Sequence, residues 1–525
     1  MSRTAQIIVV SVIVVALVGA GALGAIYLLL GHDSEGGTGQ SQDPPPTAVS
    51  TTPAADATEP PSPDLAPYYS QQISWEPCGD NQCGTLTVPV DYREASGETI
   101  EVNLLKVPAA NPGARIGSLV VNPGGPGAPG TSYAEAAGEV FRAPITDRYD
   151  IVGFDPRGTG ESDPVDCLPD DEMTEFLAVD PDPDDADEEQ QLVDELADFY
   201  QGCVDSSDSL IAHVTTAETA RDMDVLRAAL GESTLSYFGA SYGTKLGATY
   251  AELFPAKVGR LVLDGAVDVG LSSRDLTLGQ AGGFETALSA YVDNCVEETP
   301  SCFLGDSREE GLQTISDLLA EIDDEPLPTS DGRELTVGSA FYGVVTPLYN
   351  RDYWSYLSQG LSSALDGDGS TLMLLADAYA SRQDGAYLDN STEAIYAINC
   401  LDDPYFAEPD QIEAEVPAFE EVSPTFGRVF AWSLLNCKGM QVQSSEPPLD
   451  IRGEGAAPIL VVGTTRDPAT PYEWSVALAE RLDSGVLVSR DGDGHTAYNA
   501  GNECVDTAIE AYLTDGAVPD DGLEC

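Results

Sequence analysis

One pentapeptide in this 525-residue chain has the make-up of a nucleophile site: Gly239-Ala240-Ser241-Tyr242-Gly243. A serine hydroxyl attacks an acyl carbon only when a base takes its proton and the backbone presents it clear of its neighbours. A sharp strand-to-helix turn does the presenting, and its two glycines are needed because a side chain at either would crowd it. Any Gly- and Ser-rich strand–helix loop could match five residues by chance. Here an apolar run at 234–238 precedes the turn and a helical pattern at 245–254 follows it, so the context fits as well.

On such a turn the partners follow in the order serine, acid, histidine. The chain has three histidines. His32 lies in a Pro- and Ser-rich stretch and His213 precedes the serine, which leaves His495, in Asp491-Gly492-Asp493-Gly494-His495, as the base. The acid is expected at Asp467, in the loop after the apolar run 459–463. Asp264, directly after the run 258–263, is the competitor, though it could equally cap a turn; Asp491 and Asp493 are too close in sequence to orient His495. The acid would hold the imidazole tautomer and stabilise the imidazolium. Developing negative charge on the attacked carbonyl needs preorganised backbone donors. The N–H of Tyr242 is one candidate. The other is Gly125, with Gly124 as second choice, in the turn Asn122-Pro123-Gly124-Gly125-Pro126-Gly127. A phosphate-binding reading of that turn fails, because the chain has neither a G-K-S/T signature nor G-x-G-x-x-G in a strand-to-helix context.

These residues must be carried on a frame. Short Val/Ile/Leu-rich runs at 84–90, 99–107, 118–121, 149–154, 234–238, 258–263, 458–463 and 485–489 read as strands, and 216–230 and 245–254 read as helices. Strands alternating with helices predict a mostly parallel sheet covered on both faces. The interval 270–450 lacks this rhythm and is rich in Tyr, Leu and Ala, so it is expected to be a helical lid inserted between a first core part at 67–269 and a second at 451–525. Arg157, in Asp155-Pro156-Arg157-Gly158, is expected to tie down the turn after its strand rather than to do chemistry.

Composition excludes other classes. There are 23 basic and 89 acidic residues, a formal net charge of −66, and such a field repels nucleic-acid phosphates. The ten cysteines all lie beyond residue 77, and none is in C-x-x-C spacing. Structural disulfides in an oxidising compartment are therefore expected, with sequential neighbours paired. Residues 7–30 are a 24-residue apolar run flanked by Arg3 on one side and by Asp33 and Glu35 on the other. It is long enough to span a bilayer, with the bulk of the chain outside. Residues 1–31 are thus expected to be a membrane anchor, a cleaved signal peptide being the alternative. Residues 32–66, rich in Pro, Ser, Thr and acidic groups, read as a spacer.

Taken together, the turn at 122–127, the segment Gly153-Phe154-Asp155-Pro156-Arg157-Gly158-Thr159-Gly160, the Ser241 pentapeptide, Arg466-Asp467-Pro468-Ala469-Thr470-Pro471 and Gly494-His495 resemble the tripeptidyl aminopeptidase family. That family belongs to the prolyl-aminopeptidase-related α/β-hydrolases, and the likeness runs over about residues 70–525. It implies the α/β-hydrolase fold, Ser241, Asp467 and His495 as a triad, and release of short peptides from free N-termini with no metal or cofactor. An aminopeptidase must also neutralise the substrate's ammonium group, and Asp402 and Asp403 in the expected lid are candidates for that contact. A carboxylesterase or lipase would use the same triad, and a catalytically silent binding module on the same scaffold is the reading from outside the enzymes.

Overall fold

The computed structural model describes residues 57–207, 209–298 and 302–525. The apolar run 7–30 and the spacer up to residue 56 lie outside the described residues. Packed structure is already present before residue 67. Ala57 is fully buried, its carbonyl accepts from Arg227 Nη1 at 2.9 Å, and Tyr69 donates to Asp224 at 2.6 Å.

Among the described residues ten strands form the main sheet: β1 Glu76–Cys78, β2 Asn81–Pro89, β3 Thr99–Val107, β4 Gly117–Asn122, β5 Tyr149–Phe154, β6 Leu235–Ala240, β7 Val258–Asp264, β12 Ile459–Arg466, β13 Gly485–Asp493 and β14 Leu523–Glu524. They lie in the order β1-β2-β3-β5-β4-β6-β7-β12-β13-β14. The first three pair antiparallel, and from β5 onward every pairing is parallel. Side chains alternate between faces along a strand. Leu119, Val121, Phe238, Val262, Leu460 and Val462 accordingly fall in one apolar core, and Val120, Tyr237, Leu261, Leu263, Ile459 and Val461 in the other. Each fully buried aliphatic or aromatic side chain contributes about 1.5–3 kcal/mol relative to exposure. Both faces are covered, which is why β4 reads as an unbroken buried run, with all six residues buried.

Pairing register decides where the loops emerge. Asn122 of β4 stands opposite Gly239 of β6, Ala240 opposite Asp264 of β7, Asp264 opposite Val462 of β12, and Arg466 of β12 opposite Asp493 of β13. The loops carrying Gly125, Ser241, Asp467 and His495 therefore leave neighbouring strands at one edge. Ligands of open parallel sheets bind in the crevice outside the carboxyl ends of the strands.

Between β7 and β12 the described residues add no strand to this sheet. It forms helices, including Ser273–Glu298, Arg308–Asp324, Trp354–Leu365 and Pro409–Val422, and two ribbons of two-residue strands, β8 Leu327–Pro328 with β9 Glu334–Leu335 and β10 Arg382–Gln383 with β11 Ala386–Tyr387. Two further helices, Asp170–Ala178 and Ala186–Ser207, follow β5. The sequence reading has no helices there, because acidic residues dominate the segment and mask a thin apolar stripe of Met173, Phe176, Leu196, Phe199 and Tyr200. Arg157 is wholly buried. It donates to both oxygens of Asp222 at 2.7 Å and to the carbonyls of Pro89, Val90 and His213, so it fixes the turn as the sequence implies.

The cysteines pair as sequential neighbours: 78 with 83, 167 with 203, 295 with 302, 400 with 437 and 504 with 525. The Cys400–Cys437 bridge closes a loop with a sequence separation of 37. Replacing both of its cysteines by serine is expected to lower unfolding stability by roughly 2–4 kcal/mol. Denaturant melts of the purified protein check this, and an unchanged midpoint would contradict it.

Candidate active site

Ser241 sits between the end of β6 and the first residue of helix α1 (Tyr242–Leu253), with φ 56° and ψ −126°. That is a costly backbone for a residue with a side chain, and the surroundings hold it there. The Ser241 N–H donates to the Asp264 carbonyl at 2.9 Å, and its own carbonyl accepts from the Thr244 N–H and hydroxyl at 2.8 and 2.6 Å. The flanking glycines are required by close approach. A methyl group on Gly239 would lie 2.4 Å from the Gly243 carbonyl oxygen, and one on Gly243 would lie 2.8 Å from that of Asn122.

The turn after β4 folds against this elbow. Gly124 has φ 101°, and a methyl group there would lie 2.9 Å from both Ser241 Cβ and Tyr242 N. Gly125 follows with φ 107°. Neither the Gly125 N–H nor the Tyr242 N–H is taken up by an acceptor among the described residues.

His495 leaves β13 beside Asp467. Its Nδ1 lies 2.8 and 2.9 Å from the two carboxylate oxygens of Asp467. Asp467 is 2% exposed and also accepts from the N–H groups of Ala469, Thr470 and Thr496 at 2.9–3.1 Å, so its charge is stabilised without solvent. With the Nδ1 proton directed at Asp467, the neutral ring presents Nε2 as its basic lone pair. Nε2 is buried and has no hydrogen-bond partner among the described residues, Ser241 Oγ included. The His495 ring stands against Gly265, whose neighbour Asp264 holds the Ser241 N–H. Burial works against protonating His495, but the charge and hydrogen bond of Asp467, helped by Asp264, outweigh it and raise its pKa above 6.5.

Asp264, the competing acid, makes no hydrogen bond to the imidazole. Its carboxylate accepts the N–H groups of Ala497 and Tyr498 at 2.9 Å each and anchors the loop beyond His495. Its burial pushes the carboxyl up to about 6, against the pull of those two donors. Asp491 and Asp493 pair with Arg466, and the arginine draws them into β13, so the stretch before His495 is strand rather than free loop. The sequence gives no sign of Tyr349. Its carbonyl accepts the His495 N–H at 2.8 Å, and its ring packs edge-on to the imidazole at 5.5 Å.

Asp402 and Asp403, expected to meet a substrate ammonium group, both have partners within the chain. Asp402 Oδ2 is already paired with Lys245 Nζ at 2.7 Å, and both its oxygens are bonded to Thr216. Asp403 is exposed and accepts from Ser273. Two groups have cation-ligand spacing among the described residues. Asp91, His213 and Glu218 lie beside the Arg157 guanidinium, which disfavours a cation, and Asp184, Asp185 and Glu188 are surface acids.

Residues 423–525, which carry Asp467 and His495, match the family model described as TAP-like protein. Serine protease Hip1 of Mycobacterium tuberculosis is 36% identical over 481 residues, 87% of this chain and 92% of that protein. Tripeptidyl aminopeptidase of Streptomyces coelicolor is 33% identical over 475 residues, 86% of each chain. This chain belongs to the tripeptidyl aminopeptidase family. Carboxylesterase B of Mycobacterium tuberculosis is a further relative, 35% identical over 91% of this chain and 95% of that one. The crystal structure of proline iminopeptidase from Mycobacterium smegmatis aligns over 82% of this chain with a TM-score of 0.35 and 15% identity, too loose a likeness to bear on function. As a member of the tripeptidyl aminopeptidase family, the chain is a serine hydrolase of α/β-hydrolase fold.

Histidine-labelled protein followed by NMR is expected to show His495 titrating above pH 6.5. Asp467→Asn removes the charge that sustains the shift and leaves burial to act, so the midpoint should fall. A wild-type midpoint at or below 6.5 would contradict this electrostatic account.

Proposed function

We propose that this protein is a serine exopeptidase that releases short peptides from free N-termini, with Ser241, His495 and Asp467 as its triad. The observation that carries the reading is the His495–Asp467 pair, its Nε2 without a partner among the described residues, on the same sheet edge as a serine held at positive φ on a strand–helix elbow. Ser241 Oγ attacks the scissile carbonyl while His495 Nε2 takes its proton. The N–H groups of Gly125 and Tyr242 hold the oxyanion. His495 then protonates the leaving amine, and water, deprotonated by the same nitrogen, hydrolyses the acyl-enzyme. Asp467 keeps Nδ1 protonated and stabilises the imidazolium without itself taking the proton. No step calls on a metal or cofactor.

Five disulfides support a place outside the cytoplasm. We propose that residues 7–30 tether the protein to the membrane and that the helices between β7 and β12 form a lid over the site. The contact of Tyr349 with His495 supports the lid reading. The relative named carboxylesterase favours esterase action as the second reading.

Ser241→Ala is expected to lower kcat on a tripeptidyl anilide by at least roughly 10³-fold. Wild-type enzyme should cleave the free tripeptidyl anilide and spare its N-acetylated form and a fatty-acyl ester. Full activity in Ser241→Ala would remove the assignment. Preference for the fatty-acyl ester would keep the triad and replace the peptidase reading with the esterase one.

A further inference from the structure

Asp402 closes helix α2 (Ser391–Asp402), whose two ends both reach the turns that frame the site. At the N-terminal end, a methyl group on Gly127 would lie 2.8 Å from both the Ser391 carbonyl oxygen and Ala394 Cβ, so the helix packs directly on the turn that carries Gly125. Asn390 fixes this end by donating to the carbonyls of Gly158 and Val165 and accepting from the Gly160 N–H. Glu393 adds to it by accepting from the N–H groups of Cys167 and Leu168. At the other end, Cys400 is bridged to Cys437.

The Asp402 carboxylate then grips the elbow from two sides. Its Oδ1 accepts the Thr216 N–H at 2.9 Å, and its Oδ2 accepts the Thr216 hydroxyl at 2.5 Å and the Lys245 ammonium at 2.7 Å. The Thr216 hydroxyl has one hydrogen. With that hydrogen given to Asp402, the 2.5 Å contact between Thr216 Oγ1 and the Tyr242 hydroxyl must run with tyrosine as donor. Tyr242 and Lys245 both belong to the first turn of α1, and Tyr242 directly follows the nucleophile. The chain Tyr242 → Thr216 → Asp402 ← Lys245 thus fixes that turn through a buried side chain and a charge-assisted bond, which are stronger and more directional than neutral contacts.

We infer that Asp402 is a positioning residue. Through Thr216, Tyr242 and Lys245 it holds the Tyr242 backbone N–H where the oxyanion forms, and α2 couples that donor to the Gly125 turn. The inference rests on the proposed acyl-transfer site but not on which acyl compound is cleaved. A substrate's ammonium group has no place in it, because Lys245 already neutralises the carboxylate.

The experiment compares wild type with Asp402→Ala and Tyr242→Phe on a tripeptidyl anilide and on p-nitrophenyl acetate, which carries no ammonium group. Tyr242→Phe keeps the backbone N–H and loses only the hydroxyl, so it tests the chain with little risk to folding. Both variants are expected to lose roughly 10- to 100-fold in kcat on both substrates, the scale of a misplaced donor, with KM changed by less than about threefold. The acid limb of the pH profile should not move, because His495 is untouched. A loss confined to KM for the anilide would assign Asp402 to the substrate amine and overturn the inference. Unchanged kcat in Tyr242→Phe would also overturn it. If wild type cleaves the acetate but not the anilide, the peptidase reading fails while the acetate kcat values still decide the role of Asp402.

Discussion

The site depends on the register of five parallel strands. Each ladder pairing sets one strand's last residue against a fixed residue of its neighbour: Asn122 by Gly239, Ala240 by Asp264, Asp264 by Val462, and Arg466 by Asp493. A one-residue slip would turn every side chain to the other face, and with both faces packed into apolar cores that slip is strongly opposed. The loops after β4, β6, β12 and β13 therefore have no freedom to part. The chemistry is assembled by apolar burial some distance from any catalytic atom.

With a net charge of −66, the chain still keeps carboxylates inside. A buried charge is tolerated only when it is paired or hydrogen-bonded. Asp222 receives the Arg157 guanidinium, Asp402 receives Lys245, Asp264 receives two backbone donors, and Asp467 receives three together with the imidazole. Four acids near one sheet edge thus do four different jobs. They fix a turn, grip an elbow, anchor the loop beyond the histidine and face the base. Partner chemistry separates them, since residue type and strand position are nearly the same for Asp264 and Asp467.

Much of this was legible in the sequence, for local reasons. Apolar runs bounded by Gly, Pro and Asp locate the strands, and β3 and β5 fall at the ends read from the sequence. Scarcity of histidine singles out His495. The Ser241 turn is legible because its glycines are steric necessities. What was hidden depends on contacts between segments far apart in the chain. Asp402 is one acid among 89 until Lys245 and Thr216 are placed around it. Tyr349 reaches His495 from a segment with no strand rhythm. The helices after β5 carry too many acidic residues for their apolar stripe to stand out.

If the triad works as derived, Ser241 carries the acyl group during turnover. Rapid acid quench of the enzyme with an activated tripeptidyl ester, followed by intact-mass and peptide-map spectrometry, reads this directly. One adduct with the mass of the tripeptidyl acyl group is expected, on the peptide containing Ser241, accumulating in a burst that Asp467→Asn slows. Turnover with no adduct, or an adduct on another residue, would contradict it.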